Sequence, residues 1–165
     1  MTITLRSFRE TDFEAFHAIV SDYDVVKMTS SWPYPAEPAF TRMRMTTPEA
    51  LAGIVNVIDV DDTFAGVVGI VRDDLGYLIG QDFWGKGIMT SAVQMRVARH
   101  FALAETDHVK ACIWEDNPAS GRVLEKIGLN RTIECSDFCK ARNTEIKAIH
   151  YELTRAEWQR RAGGS

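Results

Sequence analysis

The chain predicts a single mixed α/β (α+β) domain, and three observations carry that prediction. Its 165 residues fall within the size of one domain and suffice to bury a core. Apolar residues recur with period two in some segments and with helical spacing in others, the two kinds interleaved along the chain. Caps, prolines and glycines mark the changes of period. No internal repeat, low-complexity stretch or linker interrupts them, so residues 1–165 read as one unit.

Each element has its own justification. Ile3 and Leu5 alternate with polar neighbours as a short first strand. Thr11-Asp12-Phe13-Glu14 has the form of a capping box, and Phe13, Phe16, Ile19 and Val20 mark the inner face of the helix it opens. His17 in that helix reads as a partly buried surface histidine. Pro33 and Pro35 forbid regular structure around Trp32 and Tyr34, and a short helix follows up to about Met45. Residues 51–58 and 63–71 are β-branched runs joined by the acidic loop Asp59-Val60-Asp61-Asp62, an antiparallel hairpin, with 75–81 as a third strand.

Residues 85–102 then predict a long helix. Its two apolar stripes, one through Ile88, Ala92 and Met95 and another through Val93, Val97 and Phe101, require cover on two sides. A strand at 109–114 follows. Asn117-Pro118 opens a second amphipathic helix with a cap and a proline at the first helical position, and Gly128 closes it. A last hairpin, 132–140 with 145–153, turns at Ala141-Arg142-Asn143-Thr144, and Thr154 with Glu157 repeats the capping-box pattern.

Composition narrows the function. With 45% hydrophobic and 25% charged residues the chain is not disordered or fibrous. A net charge of −4 argues against nucleic-acid binding. No apolar run approaches the ~18–20 residues of a membrane span, and the N-terminus enters a strand without a signal-peptide pattern. The expectation is no membrane and a cytoplasmic location. Cys112, Cys135 and Cys139 form no CxxC pair and read as reduced thiols. The four histidines are scattered, so no metal site is expected.

Two segments carry chemistry. Gln81-Asp82-Phe83-Trp84-Gly85-Lys86-Gly87-Ile88-Met89-Thr90 sets two glycines before the N-terminus of the longest helix, where unpaired N–H groups can cradle phosphate. It is not a dinucleotide fingerprint, because position 90 is Thr90, and not a Walker loop, because Lys86 lies between the glycines. The second segment runs Glu115-Asp116-Asn117-Pro118-Ala119-Ser120-Gly121-Arg122-Val123-Leu124-Glu125-Lys126-Ile127-Gly128-Leu129.

Together these segments resemble the GNAT superfamily of acyl-CoA-dependent N-acetyltransferases, and most of all its ribosomal-protein alanine acetyltransferase branch. The opening Leu5-Arg6-Ser7-Phe8-Arg9-Glu10-Thr11-Asp12 and the pair Gly76-Tyr77 match that branch too. The resemblance implies a central, mostly antiparallel, twisted sheet with splayed middle strands flanked by helices. It implies acetyl-CoA as co-substrate, its pyrophosphate held by the amides of Trp84, Gly85, Lys86, Gly87, Ile88, Met89 and Thr90. It also implies a pantetheine arm paired along the strand at Ile79 and Gln81. Two residues depart from the superfamily pattern: Trp84 stands before the glycines, and Met89, in place of a small residue, is expected to narrow the cradle.

Ser120 matches the branch's serine beside the thioester sulfur, which makes it the acid for the leaving thiolate, since the superfamily's tyrosine position is Leu124 here. Asn117 reads equally as an N-cap and as a cofactor contact. Lys86, Arg122 and Lys126 are within reach of phosphates but read more simply as solvated charges. No general base is evident among Glu115, Glu134 and Asp137. Freeing a proton at pH 7 costs about 4.6 kcal/mol from a lysine-like amine and about 1–1.4 kcal/mol from an α-amine. A weak base therefore suits a peptide N-terminus or another low-pKa amine. Trp32 and Tyr34 read equally as an acceptor wall and as cover for the core edge.

The reading is an N-acetyltransferase moving an acetyl group from acetyl-CoA to a primary amine by direct attack. A homodimer is left open. The rival readings are a non-catalytic CoA-binding sensor or regulatory module, and a nucleotide-binding domain whose Gly-Lys-Gly loop holds another phosphate.

Overall fold

The computed structural model describes residues 1–103 and 105–164. Seven strands form one sheet in the order β1-β2-β3-β4-β5-β7-β6. They are β1 (Ile3–Arg6), β2 (Val55–Val60), β3 (Thr63–Val71), β4 (Asp74–Ile79), β5 (His108–Trp114), β6 (Asn130–Cys139) and β7 (Thr144–Thr154). Five pairings are antiparallel, and β4 with β5 is parallel. The helices are α1 (Phe13–Val20), α2 (Tyr23–Val26), α3 (Pro38–Met45), α4 (Pro48–Leu51), α5 (Ile88–Leu103), α6 (Pro118–Ile127) and α7 (Arg155–Gly163).

The period-two pattern splits the sheet between two cores. Ile58, Val68, Leu75 and Ala111 pack with α5 and α6 on one face, while Val57, Val67 and Leu78 pack with α1, α2 and α3 on the other. Strand β3 is covered on both faces, which is why its sequence is a continuous apolar run rather than an alternation. Each fully buried side chain of this kind contributes roughly 1.5–3 kcal/mol.

Several expectations shift by a few residues, each for a physical reason. The capping box at Thr11 does not form: α1 begins at Phe13, and the Asp12 carboxylate instead accepts the Arg9 N–H at 2.7 Å. Asp12 is drawn there because Arg6 grips it through two hydrogen bonds of 2.8 Å, while the same guanidinium bonds Asp59. Asp59 is therefore buried within β2 rather than in an acidic loop. The hairpin turn is only Asp61-Asp62, both with positive φ, as a two-residue type I′ turn requires.

The strand expected from residue 51 begins at Val55. Thr47 caps, and Pro48 starts, the short helix α4, which leaves Leu51 on the surface. Further along, α5 starts three residues later than residue 85, because Gly85 and Gly87 are left-handed. The Asn117-Pro118 start of α6, the left-handed Gly128 at its end and the Thr154–Glu157 capping box of α7 are all present. His17 donates or accepts with the Thr41 hydroxyl at 2.9 Å and stacks on Phe13, joining α1 to α3.

The sheet opens between β4 and β5. Asp74 and Lys110 are the one registered pair between strands of six and seven residues, secured where the Lys110 N–H donates to the Asp73 carbonyl at 2.8 Å. Past that pair the strands part. The Gly80 N–H donates to the Ala65 carbonyl, so backbone alternation turns the N–H and C=O of Ile79 away from β3 and into the gap. A Cβ on Gly66 would stand 2.2 Å from the Leu78 carbonyl oxygen, so β3 reaches this stretch of β4 only because residue 66 has no side chain.

On the face carrying α1 to α3, the segment after α2 is latched over the end of β5. Trp114 donates its indole N–H to the Thr29 carbonyl at 3.2 Å. Arg142 donates to the Lys27 carbonyl at 2.8 Å and forks onto both oxygens of Asp116.

Candidate active site

The gap has a set of backbone donors at one end. Gly85 and Gly87 have φ of +71° and +74°, and a Cβ on either would meet nothing within 4 Å. This left-handed backbone delivers the chain into α5, whose first-turn N–H groups have no partner within the helix. Among the described residues, no acceptor outside α5 takes the N–H of Gly85, Lys86, Gly87, Ile88, Met89 or Thr90. The sixteen-residue helix adds the positive end of its dipole. A cradle made of donors, with open space where side chains would otherwise stand, suits phosphate oxygens.

Side chains around the cradle mostly point elsewhere. Ile88 and Met89 are buried in the core beneath α5, so Met89 offers only its amide and does not narrow the cradle as its size suggested. Lys86 donates to the Asp82 carbonyl at 2.7 Å, which ties its charge to the turn before it. Arg122 and Lys126 are exposed on α6. The strand ends at Ile79, and Gln81 opens a 3-10 turn, its side chain on Asp22 at 2.7 Å. Trp84 donates its indole N–H to the Ile79 carbonyl at 2.9 Å, so of the two backbone groups that Ile79 turns into the gap, one is engaged.

At the other side of the gap, the Asn117 side chain accepts the Ser120 N–H at 3.3 Å and so acts as the N-cap of α6. α6 lies close on the sheet, since a Cβ on Gly121 would be 3.1 Å from the Tyr151 hydroxyl. Ser120 is buried, and its Oγ lies 2.5 Å from the Tyr77 hydroxyl, which crosses from β4. Burial pushes the Tyr77 phenol up to about 12, against the opposing pull of its hydrogen bond with Ser120. Tyr77 is the residue that sequence reasoning passed over; it served there only as part of the strand. Its sequence signal is slight, a polar-tipped aromatic on the same strand face as Ile79.

Comparison with known proteins decides what this arrangement belongs to. The acetyltransferase (GNAT) domain model matches residues 2–130. The chain belongs to the GNAT acetyltransferase family. An uncharacterized N-acetyltransferase p20 of Bacillus licheniformis is 23% identical over 94% of both chains. The putative ribosomal N-acetyltransferase YdaF of Bacillus subtilis is 26% identical over 67% of this chain and 57% of its own. The solved structure of RimL, a ribosomal L7/L12 alpha-N-protein acetyltransferase in complex with coenzyme A, superposes with a TM-score of 0.81 at 18% identity, covering 95% of this chain and 96% of that one. The GNAT family makes the chain an acyltransferase, and the opened seven-stranded sheet is the fold it shares with that structure.

The two aromatic residues left open between an acceptor wall and cover for the core edge part company in the structure. Trp32 is core: it is buried edge-on between Phe16 and Phe40. Tyr34 is exposed and packs against Tyr23, ring centroids 4.9 Å apart, beside the latched segment. Of the carboxylates considered as bases, Glu115, Glu134 and Asp137 are all exposed, and Glu134 is paired with Arg131 at 3.0 Å. Among the described residues no helix is long and apolar enough to cross a membrane.

Proposed function

We propose that this GNAT protein transfers an acetyl group from acetyl-CoA to the α-amine of a peptide, or to another amine of low pKa, by direct attack on the thioester. The observation that carries the reading is a gap in the sheet with unpaired amides at its α5 end and the Ser120 hydroxyl at its α6 side. The amides of Gly85, Lys86, Gly87, Ile88, Met89 and Thr90 would hold the pyrophosphate, with Asn117 kept to its cap; the Trp84 N–H, expected to join them, is instead taken by the Gln81 carbonyl at 3.0 Å. Gln81, which has left the strand, retains only a place beside the pantetheine arm. The Ile79 N–H, aimed into the gap, would donate to the thioester oxygen as negative charge develops there. Ser120 would pass its proton to the sulfur as the carbon–sulfur bond breaks, so that coenzyme A leaves as a thiol, and would be reprotonated from water, which takes up the proton given off by the acceptor amine.

The acceptor reading follows from the base. The carboxylates at hand are exposed, so the amine's proton leaves to water or through water. At pH 7 an α-amine supplies its free base for about 1–1.4 kcal/mol, whereas a lysine side chain needs about 4.6 kcal/mol. The exposed Tyr23–Tyr34 pair is the candidate acceptor wall.

Thermal unfolding tests the co-substrate. Ligand at ~100 times its dissociation constant adds ~2.7 kcal/mol, a rise of roughly 5–11 °C for a chain of this size. The expected result is a rise with acetyl-CoA and with CoA, and none with ATP or NAD. A folded protein that responds to neither CoA form would remove the acetyl-CoA reading.

A further inference from the structure

The contact between Tyr77 and Ser120 joins β4 to α6 across the opening of the sheet. Tyr77 reaches Ser120 Oγ at 2.5 Å and lies 3.5 Å from the Ser120 carbonyl. Both side chains are inside the fold: Ser120 is buried, and the Tyr77 ring packs against the core formed by α5 and α6. Two hydroxyls in contact share one hydrogen, and chemistry decides whose. A phenol is a stronger acid than an aliphatic alcohol and a poorer acceptor, because its lone pair is conjugated with the ring. On that ground the shared hydrogen is assigned to Tyr77. The serine oxygen accepts it, and the serine's own hydrogen has no other acceptor among the described residues.

We infer that Tyr77 is a positioning residue for the transfer step: by donating to Ser120 Oγ, its hydroxyl turns the serine's proton into the gap, toward the leaving sulfur. This rests on the proposed role of Ser120. Tyr77 ends the step with its own proton, because the serine, having given its proton to the sulfur, is reprotonated from water. An oxygen that accepts a hydrogen bond becomes a better donor through its own hydrogen, so the pair gives the sulfur a stronger donor than a lone serine would. The Tyr77 hydroxyl keeps its proton through the whole working range of pH, since burial has pushed it up to about 12. Asn117 completes the placement by fixing the Ser120 backbone N–H.

The test is a double-mutant cycle of Tyr77→Phe and Ser120→Ala, read as kcat and KM for acetyl-CoA with an amine acceptor that the wild type uses. Acetyl-CoA affinity is measured separately by calorimetry. Tyr77→Phe keeps the ring and loses the hydroxyl, so kcat is expected to fall about tenfold, with KM and affinity unchanged within about twofold. In the Ser120→Ala background the same replacement is expected to change nothing further, because Tyr77 acts only through the serine. A full additional loss in that background, or a loss of affinity in place of rate, would make Tyr77 a brace between β4 and α6 and overturn the inference. A Ser120→Ala protein of undiminished rate would instead remove the serine's role, and the inference with it. Binding of acetyl-CoA by the wild type with no turnover on any amine would overturn both.

Discussion

Replacing Gly87 by alanine is expected to weaken acetyl-CoA binding by roughly ten- to hundredfold while leaving the fold intact. The φ of +74° puts residue 87 in the left-handed region, where a non-glycine residue costs about 1–2 kcal/mol. The new methyl would touch no protein atom within 4 Å, so nothing inside the protein has to move to receive it. What it meets is the space in front of the α5 amides, where phosphate oxygens have to approach the backbone. Each charge-assisted hydrogen bond lost there is worth about 1.5–3 kcal/mol, and the loss of one gives the stated range. Calorimetric titration of the variant, with its unfolding curve run beside it, checks both halves. Unchanged affinity in a folded Gly87→Ala protein would show that the phosphate lies elsewhere.

The second large effect is on stability. Arg6→Met is expected to destabilise the protein by about 3–5 kcal/mol, because it strands two buried carboxylates, Asp12 and Asp59, without their shared cation. At this chain length the melting temperature should fall by roughly 6–20 °C at pH 7. The effect depends on pH in a defined direction. Burial alone would raise the Asp12 carboxyl, but its bonds to Arg6 and to the Arg9 backbone outweigh that and hold it below the usual value. A carboxylate lowered in the folded state stabilises above its unfolded pKa of ~3.9, and that stability fades as pH falls through the lower folded value. The difference between wild type and Arg6→Met is therefore full at neutral pH and narrows below about pH 4. A difference that stays constant from pH 7 to pH 3 would mean the ion pairs contribute nothing and the loss is packing.

Much of the fold was legible because its signals are local. The cap at Asn117, the proline after it and Gly128 fix both ends of α6 without reference to anything distant. The errors arose where a distant partner overrode a local pattern. Thr11 has the spacing of a cap, but Asp12 takes the amide because Arg6 on β1 holds its carboxylate in place. Asp59 looks like a loop acid until the same arginine is seen to bury it. Leu51 reads as strand because of the β-branched run after it, although Thr47-Pro48 just before it is a helix start of the same kind as Asn117-Pro118.

The candidate site divides along the same line. Gly85, Gly87 and the α5 amides follow from a strand, a turn and a helix in sequence, so they were readable. Met89 misled because its size is visible in sequence and its direction, into the core, is not. Tyr77 and Ser120 are 43 residues apart, and only the packing of α6 against the face of β4 brings their hydroxyls together.

Acetyl transfer itself shows which amine the enzyme uses. The protein would be incubated with acetyl-CoA and a peptide carrying both a free N-terminus and an internal lysine, alongside the same peptide with its N-terminus blocked, and the acetylated position located by tandem mass spectrometry. Acetyl is expected on the α-nitrogen of the free peptide and none on the blocked one. Acetyl on the lysine of both peptides, or no transfer by a protein shown to bind acetyl-CoA, would contradict the proposed transfer to an α-amine.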